Sequence, residues 1–467
     1  MMMVLLHRGK DSFGISTTNG LARSRDLSDL KSLELDSPVA IGYNLMKVLS
    51  VDVPQPCELS NGALSFDGEI YSQSSVVGIE EIARESGSGI DQDFYANLVR
   101  REEGAYAIAA LVDHGILLAR DPLGLKPLYY GECPEFYAAA SECKALRGVG
   151  IDSPRFFPPG HLAFMTSNST LLRPVKTVQT SPSREAASGT ETARVYHQLM
   201  NSVRARTSDI DKVAVAFSGG LDSGFVAFLA NSLNKEVVLI SVGIRGSYDL
   251  AHAEETAQEL KVPIISKAFH EEDLDEAVGQ TLWYIEDSNP MKVEVGVAIG
   301  WVASIAAKEG YKVILTGQGG DELFAGYSRF ARIYDSKGPE AAKEAVVKSV
   351  VEAHLTNYTR DEQVSMPYRV RIRHPFADWE LTRLALSIPI ELNLNKGSDP
   401  LRKRVLRESA RLAGTPCSIV EAPKRAVQYG SGIHNALSKI AKTRHLSTKR
   451  LLEKLYSEFS WQRAPIL

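Results

Sequence analysis

Two kinds of hydrophobic pattern divide this chain. Up to about residue 177, short apolar runs of β character dominate: Val39–Ile41, Gly62–Phe66, Ala105–Val112, Gly115–Leu118, Glu135–Ala140 and His161–Met165. Turn-forming residues separate them, which predicts a domain built from many short strands. The stretch 177–192, TVQTSPSREAASGTET, has no apolar period and is rich in Ser, Thr, Ala and Glu, so it reads as a linker. Beyond it the pattern changes to strand–helix alternation. Val213–Phe217, Val237–Val242 and Val313–Thr316 are strand-like, Gly224–Leu233 is helix-like, and long helical stretches lie between. Such alternation predicts a parallel sheet covered by helices. From about Ile333 onward the pattern is mostly helical. The expected domains are therefore 1–180 and 193–467, joined by a linker over 181–192.

Composition narrows the class. With 467 residues, the chain exceeds one compact core, in line with two domains. At 44% hydrophobic and 24% charged residues it has the balance of an ordinary globular protein. The net charge of −4 argues against a wholly basic nucleic-acid binder. Residues 400–467 nevertheless carry 14 Lys/Arg against 4 Asp/Glu, a local charge of +10. A solvated basic helical surface is the preferred reading of that stretch, with a phosphate-handling face or an RNA surface as the alternatives. Cys57, Cys133, Cys143 and Cys417 form no CxxC pair and suit free thiols in a reducing, cytoplasmic setting. The apolar start MMMVLL is interrupted by His7 and Arg8, too short for a signal-peptide core, and no uninterrupted apolar stretch approaches a membrane span.

The most informative segment is Val213-Ala-Val-Ala-Phe217-Ser218-Gly219-Gly220-Leu221-Asp222-Ser223-Gly224. An apolar strand runs into Ser-Gly-Gly-x-Asp-Ser and then into a helix. Glycines let the backbone curl around an anion, successive N–H groups form a nest, and the helix N-terminus adds a favourable field. Ser218 and Ser223 can donate to phosphate oxygens. Asp222 repels a bare phosphate, so a divalent cation between them is expected. No Walker pattern is present.

A second segment, Val313-Ile-Leu-Thr316-Gly317-Gln318-Gly319-Gly320-Asp321-Glu322-Leu-Phe-Ala-Gly-Tyr327, is again a strand ending in a Gly-rich, acidic loop. Strand ends of a doubly wound sheet converge on one crevice, so Asp222 and Asp321 are expected to share Mg²⁺. The strand end Ser241-Val242-Gly243 is expected to approach the adenine. The blander alternative makes 316–327 a connection whose Asp321 and Glu322 cap the next helix.

The Ser-Gly-Gly-x-Asp-Ser run resembles the PP-loop of ATP pyrophosphatases. In the second half, FSGGLDSG, VGIRGSYDL, LTGQGGDELFAGY, RIRHPFAD, LRKRVLRE and PKRAVQYGSG occur in the order found in the synthetase domain of asparagine synthetases, which this half resembles. In the first half, LLHRGKDSFG, LSFDGEIYS, LLARDPLGLKPLYYG and AASECKAL resemble the glutaminase domain of the same enzymes. β-Lactam synthetases share the two-domain plan. The resemblance implies an α+β N-terminal domain, a glutaminase-like sandwich of antiparallel sheets, followed by an α/β PP-loop domain with a parallel sheet and a helical C-terminal part. It implies that aspartate attacks the α-phosphate of MgATP and that ammonia then displaces AMP. Ser218, Gly219, Gly220 and Ser223 would hold pyrophosphate, and Asp222 and Asp321 Mg²⁺. Phe217, Val242, Gly243, Thr316 and Gly317 would line the nucleotide. Lys424 and Gln318 would be the catalytic residues, Lys424 by neutralising charge on the phosphate. Arg373 and Asp378 read as a structural ion pair. Partners would be aspartate with ammonia or glutamine, without membrane or nucleic acid; a homodimer and a separate ammonia-supplying protein both stay open. The alternatives are a PP-loop tRNA-modifying enzyme, which the basic C-terminal stretch would serve, and a non-catalytic nucleotide-sensing paralogue.

Departures from the family pattern cluster in the first half. The family's N-terminal nucleophilic cysteine has no counterpart before Cys57, and Met1–Leu6 matches the end of the family's first helix. Leu45 stands where the family has an arginine that clamps the α-carboxylate of glutamine. The family's NGE is Asp67-Gly68-Glu69, which puts a carboxylate near the expected oxyanion. These departures predict a glutaminase domain kept for structure. In the second half Gln318 replaces the family's acidic residue and the tyrosine of β-lactam synthetases. It can hold an intermediate by hydrogen bonds and cannot act as a base.

Overall fold

The structure is a computed structural model that describes residues 1–31, 37–72, 74–86, 92–112, 115–166, 169–179, 190–395, 397, 401–423 and 427–459. Met1–Thr177 and Val178–Glu458 fall in two separate compact units.

In the first unit, strands Thr170–Pro174, His161–Met165, Gly115–Arg120, Gly104–Val112, Gly62–Tyr71 and Cys57–Leu59 lie side by side in that order, and Val76–Val77 pairs with Gly62–Tyr71. Every pairing in this sheet is antiparallel. Side chains alternate between its faces, as the period of two requires. Leu64, Phe66, Tyr106, Ile108, Leu117 and Ala119 face helices Ile79–Glu85 and Gln92–Arg101 through Ile82, Tyr95 and Val99. On the other face Ala63 and Leu111 pack on Ile41 of a smaller antiparallel sheet, Gly20–Ser24, Ser12–Thr17 and Ala40–Leu45. The segment ARDPLGLKPLYYG is held from within. Arg120, fully buried, donates to the carbonyls of Lys126, Phe157 and Gly124 at 2.7, 2.6 and 2.9 Å, while Asp121 accepts the N–H groups of Leu123, Leu125 and Lys126. Met1–Leu5 forms turns that lead into a short 3₁₀ helix, Leu6–Arg8, rather than the end of an α-helix.

The second unit is built on a five-stranded parallel sheet: β1 (Lys212–Ala216), β2 (Glu236–Ile244), β3 (Ile264–Phe269), β4 (Val313–Leu315) and β5 (Arg371–Arg373), in the order β3-β2-β1-β4-β5. Helix α1 (Glu191–Ala205) precedes β1. Helices α2 (Leu221–Ser232), α3 (Tyr248–Leu260), α4 (Asp273–Ile285) and α5 (Pro290–Lys308) follow in turn. Much of expected linker 181–192 lies outside the described residues, while Glu191 and Thr192 belong to α1. Helix α2 starts at Leu221, three residues earlier than the apolar pattern indicates, so Asp222 and Ser223 sit in its first turn. Helix α5 is long and apolar enough to cross a membrane, yet 72% of its apolar window is buried inside the protein, where it packs on the sheet. Beyond β4 the chain is mainly helical. Strand β5 is the exception: its sequence, Arg-Ile-Arg, lacks a β signature, and Arg371 and Arg373 are both buried. Arg373 is paired with Asp209 at 2.7 Å, and Asp378 caps the helix Trp379–Ser387 and meets Arg206 at 3.5 Å. The two residues read as one ion pair thus serve two different partners.

Candidate active site

The strand order places a switch point between β1 and β4. The chain leaves β1 toward β2 and β3, then returns to the other side of β1 as β4. Ligands of open α/β sheets bind in the crevice outside the C-terminal ends of strands at such a point. The two Gly-rich loops identified in the sequence close this crevice from opposite sides.

The first loop leaves β1 at Phe217, whose N–H donates to Ile240 O at 2.9 Å. Gly219 has φ +75°, a left-handed conformation that favours glycine. A Cβ there would stand 2.8 Å from the His252 ring, so the loop also lies close on α3. Ser218 N–H donates to Ser223 Oγ at 3.3 Å, and the two hydroxyls are 3.3 Å apart. The first turn of α2 thereby fixes the loop whose amides and hydroxyls would receive phosphate.

The second loop leaves β4 at Thr316. Thr316 Oγ1 meets His374 Nδ1 at 2.7 Å and accepts the Gln318 N–H at 3.3 Å. The Gln318 side chain bonds Asp361, whose carboxyl is pushed up by burial against the opposing pull of Arg360. The loops touch at Gly317, where a Cβ would lie 2.8 Å from Asp222 Cβ. Asp321 does not cap the short helix Gly320–Leu323 but ion-pairs with Lys403, and the neighbouring Glu322 turns inward, accepting Tyr327 OH at 2.5 Å and Asn357 Nδ2 at 2.8 Å. Burial and then the Asp321 charge push the Glu322 carboxyl above the usual carboxylate range.

One cleft gathers most of the residues expected from sequence: Phe217, Ser218, Gly220, Asp222, Ser223, Val242, Thr316, Gly317, Gln318 and Asp321 all line it. Gly219 packs toward His252 instead, and Gly243 toward Ser247 and Ser431. Lys424 lies outside the described residues. The cleft also holds residues that the sequence reading missed. Ala298, Ile299 and Val302 of α5 give it an apolar wall, and Asp249 lines it from α3. Lys403 reaches in from the basic C-terminal stretch, with Nζ 2.5 Å from Asp222 Oδ2 and 2.6 Å from Asp321 Oδ1. Arg407 stands behind it, donating to the carbonyls of Arg402 at 2.8 Å and Ala422 at 3.0 Å. The run LRKRVLRE contained both residues, and their place in a charged stretch concealed them. Other cations of that stretch pair within the unit: Lys439 with Glu271, Arg444 with Asp275 and Arg411 with Glu408. It is therefore partly a cleft-lining element and partly an ion-paired surface.

Among the described residues no three His, Cys, Asp or Glu side chains converge as a metal cage. Two carboxylates do converge, on one ammonium, and Asp222 Oδ1 is buried without a hydrogen-bond partner among the described residues. Mg²⁺ is commonly held by one or two carboxylates together with substrate phosphates, so this donor set fits it.

In the first unit the resemblance-bearing residues form a buried charge cluster. Glu142, fully buried, meets His7 at 2.9 Å, Arg8 at 3.2 Å and Lys144 at 2.5 Å. Arg8 also reaches Asp67 at 2.9 Å, with Lys126 at 3.7 Å from the same carboxylate. Burial pushes the Glu142 carboxyl up, but His7, Lys144 and Arg8 outweigh it and hold the group well below the usual carboxylate range. Asp67, the carboxylate that stands in place of the family's Asn, is paired with Arg8 and Lys126. Leu45 is buried on the strand Ala40–Leu45, and its carbonyl accepts Asp11 N–H at 3.0 Å.

Comparison with known proteins decides the family. The profile described as asparagine synthase matches residues 194–355 and 334–459, and one described as glutamine amidotransferase domain matches 45–148. "Putative asparagine synthetase (glutamine-hydrolyzing) 1" of Methanocaldococcus jannaschii is 31% identical over 98% of this chain and 96% of its own length. The chain belongs to the asparagine synthetase family. The asparagine synthetase (glutamine-hydrolyzing) of Gallus gallus is 25% identical over 92% of this chain and 81% of its length, and that of Homo sapiens 23% over 94% and 82%. As a member of the asparagine synthetase family the protein is a carbon–nitrogen ligase that uses ATP, with an N-terminal glutamine amidotransferase domain of antiparallel sheets and a C-terminal parallel α/β synthetase domain.

Proposed function

We propose that the second unit adenylates the side-chain carboxylate of aspartate and passes the acyl group to ammonia. The observation that carries this reading is the convergence of the Ser218–Ser223 loop, Asp222 and Asp321 on one cleft at the switch point. ATP would lie with its base against Phe217, Val242 and the wall of Ala298 and Ile299, and its phosphates over the loop of Ser218, Gly219 and Gly220 and the Ser223 hydroxyl. Asp222 and Asp321 would hold Mg²⁺, which when bound supplies charge neutralisation at the pyrophosphate. The acceptor carboxylate attacks the α-phosphorus, and the bond to the bridging oxygen of pyrophosphate breaks. Ammonia then adds to the acyl carbon, and AMP leaves with the bonding electron pair. Lys424 would balance charge on the phosphoryl oxygens during the first step. Gln318, held by Asp361, would orient the acyl group, and without a base at that position free NH₃ is the nucleophile that suits the site.

The nitrogen source on this reading is ammonia, free or delivered by another protein. Leu45 offers a carboxylate no hydrogen bond, and Asp67 is committed to Arg8. The experiment is ATP–pyrophosphate exchange by the full chain with and without aspartate. Aspartate-dependent exchange is expected. Exchange that no amino acid stimulates would refute the adenylation reading.

A further inference from the structure

Lys403 touches both carboxylates that are read above as a metal pair, at 2.5 Å and 2.6 Å. An ammonium so placed occupies the space in which a shared divalent ion would contact the same two oxygens. The contact is built by its surroundings. Lys403 is 2% exposed and has φ +58°, a left-handed conformation uncommon outside glycine, at the residue that precedes the helix Arg404–Ala413. Arg402 Nε donates to Gly326 O at 2.8 Å, which ties this segment to the second loop. A Cβ on Gly326 would stand 2.0 Å from Asp321 Oδ1 and 2.1 Å from Lys403 Cε, and one on Gly320 2.7 Å from Asp222 Cγ. Glycine at both positions lets the three charged groups meet.

The electrostatics follow from the count of charges. Two carboxylates and one ammonium carry a net charge of −1, so the ammonium offsets one of the two negative charges. A divalent ion entering alone must displace the ammonium, and a buried cation stripped of its partners is costly. A divalent ion arriving with a nucleotide brings phosphate oxygens, and these give the displaced ammonium new anionic partners. We propose that Lys403 is an internal counter-cation that keeps divalent metal out of the Asp222–Asp321 pair until the nucleotide is bound, so that metal and nucleotide bind with strong positive coupling. The proposal rests on the reading of Asp222 and Asp321 as a metal pair.

Mn²⁺ binding to the full chain, followed by electron paramagnetic resonance of the free ion, tests it with no turnover. The wild-type protein should bind Mn²⁺ weakly alone and about tenfold or more tightly with α,β-methylene-ATP, a coupling within the ordinary range. Lys403→Gln should bind Mn²⁺ alone about tenfold more tightly than wild type, and its coupling to nucleotide should shrink. Without metal this variant should also melt at a lower temperature, because two facing carboxylates have lost their cation, and Mn²⁺ should restore the melting temperature more than it does in wild type. If Lys403→Gln folds only with Mn²⁺ present, that metal dependence is itself the expected result. Asp222→Asn serves as the reference. Unchanged or weaker Mn²⁺ binding by Lys403→Gln, beside weakened binding by Asp222→Asn in the presence of nucleotide, overturns the counter-cation alone. Wild-type Mn²⁺ binding by Asp222→Asn overturns the metal pair and the counter-cation with it.

Discussion

Arg8 Nη2 lies 2.9 Å from Asp67 Oδ2, and the same guanidinium reaches Glu142 at 3.2 Å, so one arginine joins the Asp-Gly-Glu strand to the Ser-Glu-Cys-Lys turn. Asp67→Asn removes the charge from a mostly buried pair and leaves Lys126 without that partner. The expected loss is about 3 kcal/mol in the stability of the first unit, read by chemical denaturation. Glutaminase activity should not appear in this variant, since Leu45 still offers glutamine no clamp. Glutamate release from glutamine by Asp67→Asn would show that Asp67 alone silences the domain.

The nitrogen source gives a second test. Ammonium salts should support amide synthesis, and glutamine alone should not. Synthesis with glutamine at a rate comparable to ammonium would refute the structural role proposed for the first unit.

The pH response of the first unit should depend on Glu142. Its carboxyl is held below its ordinary value of 4.5 in the folded protein. The folded state therefore binds fewer protons than the unfolded state in that range, and stability rises with pH there. The contribution is present above about pH 4.5 and is lost as the pH falls through the folded-state value. Denaturation curves between pH 7 and pH 3 should show a steeper acid loss for wild type than for Glu142→Gln. Parallel slopes would remove Glu142 from the account.

These charged contacts also mark the limit of what the sequence conveys. Strands such as Gly62–Tyr71, Gly104–Val112 and Lys212–Ala216 are legible because burial of one or both faces writes a local pattern. The phosphate loop is legible because its glycines and hydroxyls are contiguous. The close approach of Gly219 to α3 and of Gly243 to Ser247 and Ser431 is set by residues outside their own loops. Strand β5 carries two buried arginines, and Arg373 finds its counter-charge in Asp209, 164 positions away. Lys403 is one cation among 14 in its stretch, and nothing adjacent to it distinguishes it from a solvated lysine. Partners distant in sequence decide such positions, and no local period records them.

For the nucleotide site, Asp222→Asn and Asp321→Asn should each weaken Mg-ATP binding about tenfold or more, because each removes an anionic oxygen from a site that must balance phosphate and metal charge. Isothermal titration at fixed free Mg²⁺ reads the effect. Equal affinity in both variants would dissolve the proposed pair.

Gly326→Ala should act on the same site without removing a charge. The added methyl collides with Asp321 and Lys403, so a cost of about 1–3 kcal/mol in stability is expected, with a parallel loss of nucleotide affinity. Unaltered ATP binding and melting temperature would mean that this loop yields freely.

Lys424→Ala should slow ATP–pyrophosphate exchange by about 10²–10³-fold, the scale of losing one positive charge at a developing oxyanion. Unchanged exchange would take Lys424 out of the reaction.

The Lys403–Asp222 contact closes over 181 residues. During synthesis the phosphate loop therefore leaves the ribosome long before the residue that completes its charge balance. A nascent chain ending between residues 321 and 403 presents two facing carboxylates with no ammonium between them. Translation must pass residue 403 before the charges of this half of the molecule can settle. Termination between residues 373 and 403 would yield an intact sheet with an electrostatically open crevice, a product for quality control rather than a slower enzyme.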